Sequence, residues 1–333
     1  MKKSKLIIVC SSLIGLLFIG LCYAQNPISP TPGWSPKKPI TWIVPYSPGG
    51  GYDTYSRALS IYMKKYLGTE VVVKNIPGTG GARGTVFLQK AKPDGLTIGI
   101  LDIAGCITQQ MVMKTQYNLK KFTWLGQCDV AEWVIAVAAN SPFHSVEDLQ
   151  KAAVAKPLKL AVTGVPSSGM LVALVACQAM GIPMTHVPGY KGSVEAIIGV
   201  MRGDAHLISC PITTLLPLLK AGDVRPIVQF PSKRSQFLPN TKTVVELGYP
   251  ELQNLTGDLR IIAGPPDIPD ARANVLKEAL MKSLNDPGLI EWSQKAERPI
   301  IPASGDEAKT NVIAMSETYQ KYEKSIKQYF DVK

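Results

Sequence analysis

Two glycine clusters about thirty residues apart constrain this chain more than any other feature. "YSPGGGYD" spans residues 46 to 53, and "PGTGGARG" spans residues 77 to 84. Each follows a short apolar run, Ile40–Val44 or Val71–Val73, and each feeds a helical pattern. Over 53–67, Tyr55, Leu59, Tyr62 and Tyr66 share one helical face, and Gly68 ends the helix in the way a glycine just past a C-terminus does. A helix entered from such a turn has first-turn N–H groups with no internal partner. Together with the helix dipole these amides make an anion site. Glycine allows close approach to the backbone and supplies positive φ. Two ordinary tight turns would carry the same residues. Two consecutive strand–helix turns of one sheet face the same edge, however, and that favours an anion clamp. Gly50 and Gly80 are the positions where a new Cβ is expected to be most damaging.

The same rhythm continues along the chain. Strands are expected at Leu96–Leu101, Trp133–Ala138, Leu158–Val162, His206–Ser209, Pro226–Gln229 and Leu259–Ala263. Helices are expected over 80–91, 104–113, 168–180, 192–201 and 212–221, the last closed by Gly222. Another runs to Ala155 from a capping-box pattern at Ser145–Asp148. Three helices, 269–285, 287–297 and 304–329, end the sequence. Residues 25–39 form a proline-rich lead-in, and 231–256 is rich in Pro, Ser, Thr and Asn. Strand–helix alternation implies an α/β protein with mostly parallel sheets covered on both faces. Two such halves imply a cleft between them.

The first 24 residues are read apart from the fold. Lys2, Lys3 and Lys5 precede an apolar run from Leu6 to Leu21, and Cys22-Tyr23-Ala24 offers small residues for cleavage. This is an export signal, expected to be removed near Ala24 with release to the periplasm. A retained anchor is the alternative, but the run is short for a membrane span. Lipidation of Cys22 is a further alternative, disfavoured by the bulk of Leu21. No later segment has 18 uncharged apolar residues, so the mature chain is expected to be soluble.

Charge and motifs exclude several function classes. Removing the three signal lysines from a formal net charge of +11 leaves +8. The basic pairs are scattered without interleaved aromatics, so nucleic acid is not an expected partner, whereas an anionic small molecule is compatible. Cys106, Cys128, Cys177 and Cys210 have no C-x-x-C spacing and are expected to be buried thiols. His144, His186 and His206 show no ligand spacing, so neither metal nor cofactor is expected. Residues 78–84 fail the dinucleotide fingerprint, because Arg83 stands where a glycine is needed. The stretch 164–169 is not G-x-S-x-G, since neither Ser167 nor Ser168 has glycine two positions before it. An exported enzyme is therefore disfavoured.

Several motifs together carry a family resemblance. "VPYSPGGGYD" (44–53), "VVVKNIPGTGGARG" (71–84) and "KPDGLTIGI" (92–100) resemble the first domain of the Bug family, periplasmic solute receptors of tripartite tricarboxylate transporters. "GYKGSVEAIIGVMRGDAHLI" (189–208) and "LLKAGDVRPIVQFPSKRSQFLPNTKTVVELGYP" (218–250) resemble the second domain and the return segment. The resemblance implies a type II periplasmic-binding-protein fold. Domain 1 would be discontinuous (36–125 and 248–333), and domain 2 would span 126–247. It further implies a monomer that holds a small organic carboxylate in the cleft and delivers it to membrane permease subunits. A receptor that presents ligand to a sensor kinase is the alternative.

Carried over residue by residue, the ligand site comprises Tyr46, Pro48, Gly49, Gly50 and Gly51 in the first turn and Gly78, Thr79, Gly80 and Gly81 in the second. Asp102 and Gly105 follow the third strand. Thr163, Ser167, Ser168, Gly169, Tyr190, Gly192 and Ser193 come from the second domain. Asp53 is expected to hold the turn rather than the ligand. The sequence departs from the family pattern at Gly257-Asp258-Leu259-Arg260, where a Gly-Trp-x-Gly is common, and at Met170, where histidine is common. Arg260 is accordingly either a second carboxylate partner or a surface arginine.

Overall fold

In the computed structural model of the chain, the described residues are 34–255 and 258–330. The expected export signal and its cleavage point lie outside them. The strands of the first half are β1 (Ile40–Val44), β2 (Val71–Asn75), β3 (Thr97–Asp102), β4 (Thr123–Ala131), β5 (Trp133–Ala138) and β6 (Leu158–Ala161). Then come β7 (Met184–Val187), β8 (Leu207–Pro211), β9 (Val224–Gln229), β10 (Asp258–Gly264) and β11 (Ala303–Ser304). The helices are α1 (Gly51–Leu67), α2 (Ala82–Gln89), α3 (Ile103–Val112), α4 (Val146–Ala155), α5 (Ser168–Ala179) and α6 (Ser193–Met201). They continue with α7 (Ile212–Lys220), α8 (Asp270–Leu284), α9 (Pro287–Lys295), α10 (Gly305–Gln320) and α11 (Glu323–Tyr329). No helix of the described residues is long and apolar enough to cross a membrane.

Two sheets organise two lobes. The first runs β11-β4-β10-β3-β1-β2 and the second β7-β6-β8-β5-β9. β1 is parallel to β2 and β3, and β6 is parallel to β7 and β8, as strand–helix alternation requires. β10 and β5 run against their neighbours. The beginning of such an inverted strand lies beside the C-terminal ends of the parallel ones. Arg260 therefore pairs in register with Asp102, and Trp133 with Pro211. Both residues arrive at the sheet edges from which the strand–helix turns also leave, the usual ligand side of an α/β sheet.

The helices cover these sheets for the reason their sequences suggest. α1 buries Tyr55, Leu59 and Met63, residues four apart on one face. It stops at Gly68, whose φ of 68° lets its N–H reach Lys64 O. α8 packs on α1 and buries Ala273, Leu276 and Leu280. The chain leaves the first sheet at Ala131 and enters the second at Trp133. The 125/126 division expected from sequence thus falls inside β4. The chain returns along the segment from Phe230 to β10. α11 then packs on both α3 and α5, touching each lobe. The four cysteines outside the signal are buried thiols.

Three strands have no counterpart in the sequence reading. β4 carries Gln127 and Asp129 at buried positions, so it shows neither an apolar run nor alternation. β7 is an edge strand with exposed Thr185 and His186. β11 has only two residues. The final helix expected over 304–329 divides at Lys321–Tyr322 into α10 and α11.

Candidate ligand-binding site

A cavity of about 290 Å³ is lined by residues of both lobes. Four helices begin at it: α1 with Gly50, Gly51 and Tyr52; α5 with Ser167, Ser168 and Gly169; α6 with Gly192 to Glu195; and α7 with Pro211 and Thr214. None of the four has a side-chain hydrogen bond capping its N-terminus. Of the helices that begin away from this cavity, α3, α4, α9 and α10 are capped by Asp102, Ser145, Asp286 and Ser304, whereas α2, α8 and α11 also lack a side-chain cap. The first-turn amides and four dipole ends therefore converge on one volume, which favours negative charge there.

The first glycine turn is held open by Asp53. Its carboxylate accepts from Gly49 N at 3.0 Å, Arg57 Nε at 2.9 Å and Asn75 Nδ2 at 2.9 Å. Burial pushes this carboxyl up, but the bonds from Arg57, Gly49 and Asn75 outweigh it and hold the group below its ordinary value. Asp53 thus holds the turn. Gly49 has φ of +87°, whereas Gly50 is extended at φ −77° and ψ 173°. A Cβ on Gly50 would meet only Ser47 O at 3.9 Å. The expectation that Gly50 is the demanding glycine is therefore corrected: the tight position is Gly51. A Cβ there would stand 2.9 Å from Arg260 Nη2 and 3.3 Å from Thr214 Oγ1.

The second glycine turn faces elsewhere. Four consecutive residues have positive φ: Gly78 (134°), Thr79 (49°), Gly80 (57°) and Gly81 (93°). A Cβ on Gly80 would lie 2.4 Å from Pro166 O, and one on Gly164 would lie 2.1 Å from Gly80 N. Gln109 Nε2 donates to Gly80 O at 2.9 Å and to Pro166 O at 3.3 Å. This turn is pressed against the 163–168 loop of the second lobe. Beside it Asp102 accepts from Tyr46 Oη at 2.5 Å and from Ser168 Oγ at 2.9 Å, so one buried carboxylate ties both lobes together. At the other lip Ser47 N donates to Lys191 O at 3.3 Å.

Arg260 is fully buried, which corrects the surface reading. Its guanidinium donates to Asp129 and lies 4.9 Å from the Tyr55 ring centre and 5.4 Å from that of Tyr52. Burial pushes the Asp129 carboxyl up against the pull of Arg260. Burial also lowers Arg298, with Arg260 acting in the same direction. Of these three charged groups, Arg260 lines the cavity.

Of the sequence-predicted site residues, Tyr46, Pro48, Gly50, Gly51, Thr163, Ser167, Ser168, Gly169, Gly192, Ser193 and Arg260 line the cavity. Gly49, Gly78, Thr79, Gly80, Gly81, Asp102, Gly105 and Tyr190 do not. Gly105 N bonds Asp102 Oδ1 at 2.9 Å. Tyr190 packs in the second-lobe core, where a Cβ on Gly199 would collide with its hydroxyl. Sequence reasoning missed Ser47, Tyr52, Trp133, Ser209, Pro211 and Thr214, which also line the cavity. Trp133 reaches the cavity because β5 runs against its neighbours, which no local sequence signal shows.

Buried polar groups divide into two sets here. Tyr46 and Ser168 donate to Asp102, and Arg260 Nη1 donates to Asp129. Trp133 Nε1, Ser167 Oγ and Ser209 Oγ are buried with no hydrogen-bond partner in the protein, an uncommon state for a native interior. Among the described residues, no group of three or more His, Cys, Asp or Glu is arranged to hold a metal ion.

Comparison with known proteins decides the family. The sequence model described as the tripartite tricarboxylate transporter family receptor, TctC, matches residues 56–329. The chain belongs to this receptor family. A Pseudomonas sp. relative, known by its place in the tcbD–tcbE intergenic region, is 29% identical over 77% of this chain and 76% of its own. BugT of Bordetella pertussis is 28% identical over 65% of this chain and 68% of its own. Among solved structures, an R. palustris protein with adipate has a TM-score of 0.79 at 25% identity, covering 87% of this chain and 98% of its own. The periplasmic binding protein BugD has a TM-score of 0.78 at 24% identity, covering 86% and 98%. This TctC-family receptor accordingly has the two-domain periplasmic-binding-protein fold, and its relatives are binding proteins rather than enzymes.

Proposed function

We propose that this TctC-family receptor binds a small organic carboxylate in its inter-lobe cavity. It works in the periplasm, after loss of the export signal, as a monomer that hands its ligand to membrane permease subunits. The convergence of four helix N-termini without side-chain caps on one cavity carries the reading. The Arg260 guanidinium in the cavity lining and the adipate held by the R. palustris relative support it. The cavity of 290 Å³ equals about ten water volumes, so it suits a compound of roughly ten non-hydrogen atoms. Such a ligand would be gripped chiefly by backbone amides, with Tyr46 and Tyr52, stacked 5.1 Å apart, packing along its body. Binding to both lobes favours the closed arrangement, a hinge mechanism.

A thermal-shift screen of the mature protein against aliphatic and aromatic carboxylates tests this. A ligand at 100 times its dissociation constant adds about 2.7 kcal/mol of stability. Stabilisation by neutral sugars or cations alone would overturn the carboxylate assignment. Failure of an acid-loaded receptor to stimulate uptake through co-expressed permease subunits in vesicles would overturn the delivery role.

A further inference from the structure

Four cations that lie apart in the sequence meet around one groove of the first lobe. Lys74 lies near the end of β2, Arg83 is in the first turn of α2, Lys90 ends that helix, and Lys92 follows in the connection to β3. Arg83, Val86, Phe87 and Lys90 are spaced three and four apart and so share one helical face. The groove they border has a volume of about 800 Å³. The four cations are exposed, and so is the Phe87 ring. Lys90 Nζ donates to the neutral Gln116 Oε1 at 2.6 Å, and Lys74 Nζ lies 5.4 Å from the centre of the Phe87 ring. Among the described residues none of the four is in an ion pair. The cations of α1, which packs on β2, are all paired: Arg57 with Asp53, Lys64 with Glu70 and Lys65 with Asp286. The groove lining holds one carboxylate, Asp94, whose Oδ1 accepts from Leu96 N at 2.9 Å. Four positive charges against one negative leave +3 on this surface. None of its residues lines the ligand cavity.

We propose that this groove docks an acidic, extended segment of a protein partner. Carboxylates of the segment pair with Lys74, Arg83, Lys90 and Lys92, and an apolar residue covers Phe87. Arginine and exposed aromatic rings are enriched where proteins meet, with polar groups around them. The charge calls for an acidic partner, and attraction between such surfaces steers encounter and is screened by salt. The shape favours a chain over other anions. A bilayer surface is flat and does not enter a groove. A nucleic-acid strand needs successive aromatic rings for successive bases, and only Phe87 is present. A small anion needs most of its surface buried, which exposed lysines on the groove walls do not provide. Because the groove is separate from the ligand cavity, docking is expected to be alterable without touching ligand affinity.

Fluorescence anisotropy with labelled peptides tests the proposal. The probes are peptides of about nine residues, glutamate-rich, with a central leucine, phenylalanine or valine. The mature protein is expected to bind at least one of them, about tenfold more weakly at about 0.5 M than at about 0.05 M sodium chloride. Lys74→Glu/Lys90→Glu should weaken binding about tenfold, and Phe87→Ser about fivefold. Lys309→Glu/Lys321→Glu makes the same change of charge on α10 and just beyond it, and should stay within about twofold. Circular dichroism checks folding. Should the reversal of Lys74 and Lys90 disturb it, Lys74→Gln/Lys90→Gln carries the test, with a loss of about threefold. Equal losses in the two reversed variants would mean that net charge, not the groove, attracts the peptide, and would overturn the proposal. So would a wild-type chain that binds none of the peptides. Tighter binding of phosphatidylglycerol vesicles or of a single-stranded oligonucleotide, lost in the Lys74 and Lys90 variants, would overturn the assignment to an acidic segment. All of these outcomes leave the carboxylate reading of the cavity standing.

Discussion

The two glycine turns have nearly the same sequence signature and opposite surroundings. The first, at 48–51, borders the cavity, and its tight glycine faces the Arg260 guanidinium and Thr214. The second, at 78–81, is closed against Pro166 and Gly164 of the other lobe. In one the absent Cβ leaves room beside a charged side chain; in the other it lets two backbones touch. Glycine after a strand therefore marks close approach without saying to what. The supports differ as well. A buried ion pair backs the first turn, whereas Asp102 and Gln109, both bonded across to the second lobe, back the second.

Four perturbations separate these roles. Arg260→Ala should have the largest effect, because it strands Asp129 beside the first turn. Urea denaturation is expected to show a loss of about 3–5 kcal/mol. An unchanged midpoint would mean that the pair does not support the turn. Gly164→Ala comes next. Its Cβ would lie 2.1 Å from Gly80 N, with backbone on both sides, so the lobes cannot meet. Affinity should drop about 100-fold, or about 2.8 kcal/mol, with little change in the melting temperature of the ligand-free protein. Small-angle scattering should then show no contraction on adding ligand. Normal closure would remove the lobe-contact role of the second turn.

Gly51→Ala and Gly50→Ala form the third test. The first crowds Arg260 and should weaken binding about tenfold; the second meets open space and should stay within about twofold. Equal losses would mean that backbone freedom, rather than space, decides at this turn. The smallest effect is on pH dependence. The Asp53 carboxyl is held below its ordinary value of 3.8. Its ionised form thus stabilises the folded turn above that value, and the contribution is lost as pH falls through the lower folded one. Between about pH 4 and pH 3, wild type should lose more stability than Asp53→Asn in a denaturation series. Parallel curves would show that the charge of Asp53 is not what fastens the turn.

Local pattern made much of the fold legible. β1, α1 and β2 could be read because Ile40, Tyr55, Leu59 and Val71 repeat at strand and helix spacing. β4 could not. Its polar residues are buried because partners far along the chain satisfy them: Arg260 is 131 residues from Asp129, and Asn311, which donates to Gln127, is 184 residues away. The same limit applied to the site. Residues at strand ends before helices, such as Thr163 and Ser193, were recoverable from alternation and family resemblance. Trp133 was not, since nothing local shows that β5 runs against its neighbours. Nor does any local signal at Gly80 reveal that Gly164 fills the space a side chain would need.

If the lobes close on ligand as proposed, α11 would give the receptor a set point separate from its pocket. Ile326 is fully buried, α11 rests on α3 of one lobe and α5 of the other, and Tyr329 Oη lies 3.3 Å from His186 Nδ1 on β7. None of these groups lines the cavity. A change in how firmly this helix grips the second lobe would then alter the free-energy gap between open and closed forms, and apparent affinity follows the population of the form able to bind. Substitutions along α11 can therefore shift the concentration range over which the receptor fills, while the identity of what it accepts is kept.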